Sequence, residues 1–116
     1  MQTYKLVVLL NAFEGQDAAF NQWFTDVHLP DALKIPGIVG GQRFALSEAQ
    51  HEGASRQWQY LTLYEVCTDD LLGVMAEIKR RAGTPDMVGT ETIAPGGFLH
   101  FFEPITDWVA APRTQA

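Results

Sequence analysis

The 116-residue sequence predicts one α+β domain over residues 1–106, a four-stranded antiparallel sheet with two helices on one face, followed by a tail over 107–116. Three observations carry that expectation. Four stretches are rich in Val, Leu and aromatic residues at strand length, two intervening stretches repeat apolar residues at helical spacing, and the order is strand–helix–strand, twice. Domains commonly run to about 100–150 residues, so the length leaves no room for a second core.

Each element has its own signal. Tyr4 to Ala12 is apolar at both parities and reads as a strand buried on both faces. Asp17 is placed to cap a helix in which Phe20, Phe24, Val27 and His28 share a stripe, with Trp23 beside it and Pro30 ending or kinking it. Ile35-Pro36-Gly37 reads as a turn. Val39 to Ala49 is a second strand, interrupted by Gly40 and Gly41, where a bulge or a close backbone approach is expected. After a polar loop, Gln57 to Cys67 forms the third strand. Thr68-Asp69-Asp70 caps a second helix whose apolar positions are Leu71, Leu72, Met75 and Ile78, and Lys79-Arg80-Arg81 suits its C-terminal dipole. Residues 84–96 are a loop from which Met87 and Val88 dock on the core. Gly97 to Ile105 is the fourth strand.

Composition narrows the function classes. Fourteen acidic residues against eight basic ones give a charge of −6, which repels nucleic-acid phosphates and anionic lipid. No run approaches the roughly 20 apolar residues of a membrane span, and the N-terminus lacks a signal-peptide pattern, so the expected location is the cytoplasm. Cys67, the single cysteine, sits in an apolar run and reads as an inert packed thiol. The histidines at 28, 51 and 100 have no metal-ligand spacing, although a metal shared across a dimer stays open. No glycine-rich phosphate loop or nucleophile elbow is present, so no cofactor is expected.

Two helices cover one face of a four-stranded sheet. The first and fourth strands are nevertheless apolar on both parities, and an uncovered face of that kind exceeds the few hundred Å² that soluble monomers tolerate. A second copy packing sheet to sheet, as a homodimer, covers it; the alternative is that the long loop and the tail fold back over it.

The segment Phe20-Asn21-Gln22-Trp23-Phe24-Thr25-Asp26-Val27-His28-Leu29-Pro30-Asp31 resembles the tryptophan–histidine–proline helix of EthD-like proteins. Pro36-Gly37 and Gln42-Arg43-Phe44 resemble their following turn and strand. The motif-level likeness covers residues 20–44, and the order of elements extends it over most of the chain. It implies a ferredoxin-like dimeric α+β barrel, a superfamily that also holds muconolactone isomerase, polyketide cyclases and antibiotic-biosynthesis monooxygenases. One such fold hosts unrelated reactions.

His28 is the leading candidate for chemistry. Four residues after Phe24 and eight after Phe20, it faces the sheet, either as a general acid or base in a cavity or as a structural imidazole bonded to a backbone carbonyl. Tyr60 and Tyr64 share a parity with Trp58, and His100 shares one with Phe98 and Phe102. These are donors and walls for a carbonyl substrate, or aromatic filling of a core or interface. Arg43 either anchors a carboxylate or pairs with Glu65, Asp26 or Asp31. Trp23 and Phe24 are packing, or apolar walls beside His28. Together with the resemblance, these residues point to a cofactor-independent isomerase, cyclase or lyase acting by proton transfer on a small hydrophobic cyclic or aromatic carbonyl compound. The alternatives are a non-catalytic small-molecule binder in a catabolic pathway and a cofactor-free monooxygenase.

Overall fold

The computed structural model describes residues 1–113, so the last three residues of the expected tail lie outside it. The chain runs β1 (Gln2–Leu10), α1 (Asp17–Trp23), a π-helical turn (Phe24–His28), α2 (Leu29–Ala32), β2 (Ile38–Ala45), β3 (Tyr60–Thr68), α3 (Leu71–Arg81) and β4 (Phe98–Phe102). With α1, the π-turn and α2 read as one continuous helix, this is the expected βαββαβ order. The strands lie in the order β2-β3-β1-β4, and every pairing is antiparallel.

Pro30 does not end the first helix, which continues to Ala32. A proline inside a helix collides with the carbonyl four residues back and has no N–H to donate. Here the preceding turn widens, so that the Leu29 N–H donates to the Phe24 carbonyl five residues back, and Pro30 falls in the first turn of α2. The wider turn also resets the buried stripe. Phe20, Phe24, Ala32 and Ile35 are buried, while Val27, expected on the stripe, is exposed. Asp17 does not cap the helix; Gln16 precedes the first turn without a side-chain bond, and Asp17 accepts a hydrogen bond from the Tyr60 hydroxyl instead.

Strand ends follow from partners. β3 begins at Tyr60, opposite the last residue of β1, and Gln57 and Gln59 bond to the Asn11 side chain rather than to a strand. β4 stops at Phe102, shortly before Pro104, which has no N–H to continue a ladder. In α3, Asp70 accepts from the Gly73 N–H at 2.9 Å, as its capping role requires. Val74 is the buried centre of that helix and Leu71 and Ile78 pack beside it, but Leu72, expected on the same face, is 75% exposed. Lys79-Arg80-Arg81 is more than a solvated end: Arg80 and Arg81 both bond the Glu77 carboxylate and hold its pKa down to about 2.

The register sorts the sheet into two faces. Leu6 pairs with Tyr64 and Val8 with Thr62, and these side chains meet Ile35, Ala32, Val74 and Met87 to form the core under the helices. Val7 and Leu9, with Leu61, Leu63, Phe98 and Phe102, lie on the opposite face, which no helix covers. The loop and tail do not close over it either. Ile105 and Trp108 are almost fully exposed, and the radius of gyration, 16.0 Å, exceeds the roughly 13 Å of a compact domain of this length.

A bulge between Ile38 and Gly40 breaks the β2–β3 register, and the Tyr64 ring then lies over Gly41. A Cβ on Gly41 would sit 2.9 Å from Tyr64 Cδ1 and 3.1 Å from Leu29 Cδ1, whereas one on Gly40 would meet nothing within 4 Å. Gly41→Ala is therefore expected to cost about 1–3 kcal/mol in denaturant unfolding. Gly40→Ala is expected to stay within about 0.5 kcal/mol of the unsubstituted protein.

Candidate functional site

Between the helices and the sheet lies a cavity of about 290 Å³, at the small end of ligand-binding pockets. Its floor is Leu6, Val8 and Leu10 of β1, and its walls include Ile35, Ile78 and Met87. Two polar side chains interrupt this apolar lining, His28 and Tyr64. A third polar group, the Arg43 guanidinium, stands behind them on β2.

The π-turn brings His28 here as its last residue. The imidazole stacks on Trp23, with centroids 4.7 Å apart and planes 22° from parallel, and meets Phe24 edge-on at 4.7 Å. Nδ1 is buried without a hydrogen-bond partner among the described residues, so the backbone-carbonyl bond of a structural histidine is not made. Burial holds the His28 pKa below its usual value; Asp31 opposes this and Arg43 adds to it. The ring is consequently neutral, and competent as a base, at neutral pH.

Tyr64 is 2% exposed, and its hydroxyl is also buried and unpartnered. Burial pushes the phenol far above its ordinary range, with Arg43 pulling weakly the other way, so it remains a proton donor at physiological pH. An unpaired buried hydroxyl costs about 1–3 kcal/mol, and native proteins carry few of them.

Arg43 makes none of the ion pairs expected of it. Its guanidinium lies over the Phe24 ring, 4.5 Å from the centroid, and donates to Asn21 Oδ1 at 2.8 Å and Thr25 Oγ1 at 2.9 Å. Glu65 pairs with Lys5 instead, and Asp31 with Lys34. No carboxylate neutralises Arg43 among the described residues, and its Nε is buried without a partner. Asn21 and Thr25 were not legible as its holders, although their four-residue spacing places both on one helix face.

The structure thus brings His28 and Tyr64 to the cavity with Trp23 and Phe24 packed on His28, sets Arg43 and Tyr60 side by side next to it, and places Trp58, His100 and Phe102 elsewhere. Tyr60 shares the helix-facing side but is occupied, donating to Asp17 at 2.6 Å and accepting from Asn21 at 3.2 Å. Trp58 precedes β3 and lines a shallow depression with Leu9, Phe44 and Leu61. His100 and Phe102 lie on the uncovered face, where His100 packs on Phe98. Among the described residues, no cluster of three His, Cys, Asp or Glu side chains is placed to hold a metal, and no helix is long and apolar enough to cross a membrane.

Several solved structures share this arrangement over nearly their full length. An EthD-like protein from Ralstonia eutropha is 15% identical, with a TM-score of 0.64, covering 93% of this chain and 96% of that one. The chain shares their ferredoxin-like α+β fold, a four-stranded antiparallel sheet with its helices on one face. The heme-degrader MhuD from Mycobacterium tuberculosis, solved with two hemes in its active site, matches this fold at 18% identity and a TM-score of 0.59, covering 91% and 99% of the two chains. A candidate monooxygenase from Shewanella loihica matches at 17% identity and 0.58, covering 90% and 96%. No family model and no curated protein matches the sequence. At such identities the fold is shared, and the chemistry has to be argued from the site itself.

Tyr64→Phe removes a hydroxyl that has no partner. Thermal unfolding is expected to show unchanged stability, or a gain of up to about 1 kcal/mol, while binding of any ligand that uses the hydroxyl weakens.

Proposed function

We propose that the protein is a homodimeric, cofactor-independent enzyme of cytoplasmic small-molecule metabolism that transfers a proton on a hydrophobic cyclic or aromatic carbonyl compound. The observation that carries this reading is the apolar cavity whose polar side chains, His28 and Tyr64, are both left without protein partners. A carbonyl ligand would accept a hydrogen bond from the Tyr64 hydroxyl and present its neighbouring C–H to the imidazole.

In this reaction neutral His28 takes the proton from the carbon next to the carbonyl. The C–H electron pair becomes the new C=C bond, and the carbonyl π pair moves onto oxygen as an enolate. The Tyr64 hydroxyl donates a hydrogen bond to that oxygen, and the positive charge of Arg43 favours the anion in a site shielded from water. With a β,γ-unsaturated ketone, return of the proton from His28 to the γ-carbon of the dienolate restores the carbonyl and completes an isomerisation; with a β-leaving group, the enolate pair re-forms the carbonyl as a C=C bond forms and the group departs, completing an elimination. Trp23, Phe24 and the aliphatic walls exclude water and hold the apolar body of the substrate. Tyr60 supports the site indirectly, by fixing Asp17 and Asn21 of α1.

Deuterium exchange tests the first step without knowledge of the product. A panel of cyclic and aromatic ketones in deuterated buffer, read by mass spectrometry, is expected to show enzyme-dependent label at the carbon beside the carbonyl. General-base catalysis contributes about 10²–10⁴-fold, so His28→Ala is expected to lose at least about 100-fold. Because burial lowers the His28 pKa, the acid limb of the rate profile should fall below pH 6.5, the ordinary histidine value. Unchanged exchange in folded His28→Ala would remove His28 from the mechanism. Ligand binding with no exchange would identify a binder instead.

The second copy follows from the uncovered face. Sedimentation is expected to give twice the 12.9 kDa chain mass, and Leu63→Lys, on that face opposite Val7, is expected to shift the protein towards monomer.

A further inference from the structure

Among the described residues, the His28 ring has no hydrogen bond to fix its plane; it packs on Trp23 and Phe24. Trp23 is itself held by a part of the chain distant in sequence. Its indole Nε1–H donates to the Val88 carbonyl at 3.2 Å, across 65 positions in sequence.

Val88 begins a short span that is otherwise loosely tied. Before it, the chain is pinned where Gly83 N–H donates to the Met87 carbonyl at 3.0 Å, and the Met87 side chain is buried in the cavity wall. After it, Phe13 N–H donates to the Thr92 carbonyl at 2.9 Å and Ala94 N–H to the Asn11 carbonyl at 2.8 Å. Between these anchors, the Trp23 indole makes the one hydrogen bond from the body of the protein to residues 88–91 among the described residues. The indole thus touches the catalytic candidate with its face and the cavity's border segment with its edge.

We propose that Trp23 is a positioning residue that sets the plane of the His28 imidazole and is anchored for that task by the 88–91 segment. Its bearing on catalysis rests on the proton-transfer reading above, but the arrangement itself does not. A flat aromatic face against an imidazole stabilises the charged form, as a cation over a π system does, and opposes the desolvation that disfavours it. The other groups acting on the ring are Asp31 from its own helix and Arg43 from β2, with the neutral Tyr64 hydroxyl across the cavity. None of them contacts the imidazole face.

Two substitutions separate the halves of this role. Trp23→Leu removes both the stack and the hydrogen bond, and Trp23→Phe keeps an aromatic face but loses the N–H. The imidazole signal of His28, assigned by its disappearance in His28→Phe, is followed by NMR across a pH titration. Its midpoint is expected to fall by about half a pH unit in Trp23→Leu and to change less in Trp23→Phe. The Met87 and Phe13 amides, whose hydrogen bonds to the Thr84 and Thr92 carbonyls flank the 88–91 segment, are expected to exchange about tenfold faster in Trp23→Phe and at an unchanged rate in His28→Phe. A Trp23→Leu titration that overlays the unsubstituted protein would overturn the proposal. So would unaltered exchange of both flanking amides in Trp23→Phe, which decides the matter even if Trp23→Leu does not fold. Neither measurement uses a substrate, so failure here leaves the deuterium-exchange test of His28 standing, and failure there leaves this one standing.

Discussion

The constraint on which the site depends is Pro30. An α-helix repeats every 3.6 residues, so two turns advance about seven positions. From Phe24 the next buried residue of the first helix is Ala32, eight positions on. The extra residue is absorbed in the π-turn that precedes the proline. It leaves Phe20 and Phe24 packed beneath α1 while returning Ala32 and Ile35 to the core, and it sets His28 at the junction, in the wall of the cavity. Such widened turns occur frequently at functional sites, because they re-aim one side chain without disturbing the packing on either side.

Packing and chemistry pull in different directions here. Polar groups find partners over most of the molecule: the β1–β3 and β1–β4 registers run unbroken, α3 is capped by Asp70, and Glu77 is held by two arginines. Among the described residues, the buried side-chain atoms without a partner are an imidazole nitrogen and a phenol oxygen on two residues lining the cavity, and a guanidinium nitrogen of Arg43 beside it. These are the groups with free hydrogen-bonding capacity next to the cavity. Gly41 belongs to the same arrangement, since a side chain there would displace the Tyr64 ring.

Much of the fold was legible in the chain, because period and capping chemistry act locally. The doubled strand–helix–strand order, the Asp70 cap, the bulge near Gly40 and the burial of Met87 follow from neighbouring residues alone. Other features depend on contacts distant in sequence. Asp17 turned from cap to acceptor because Tyr60, 43 positions away, arrived beside it. Arg43 was expected to find a carboxylate, but the register aims it at the helix, where Asn21 and Thr25 receive it. Parity grouped Tyr60 with Tyr64 correctly and could not say that one would be occupied and the other free. Nor could it show that His100 lies across the sheet from His28, since both faces of β4 are aromatic or aliphatic.

The placement of Arg43 carries a further consequence. The protein bears a charge of −6, so its exterior repels dissolved anions over the Debye length, while Arg43, half-buried against the Phe24 ring, is a cation with no carboxylate partner among the described residues. Under the proposed reaction, a molecule that enters uncharged meets no barrier from the outer field and gains from that cation only as negative charge develops on it. Added salt, by screening the outer field, would ease the entry of molecules already ionised in solution.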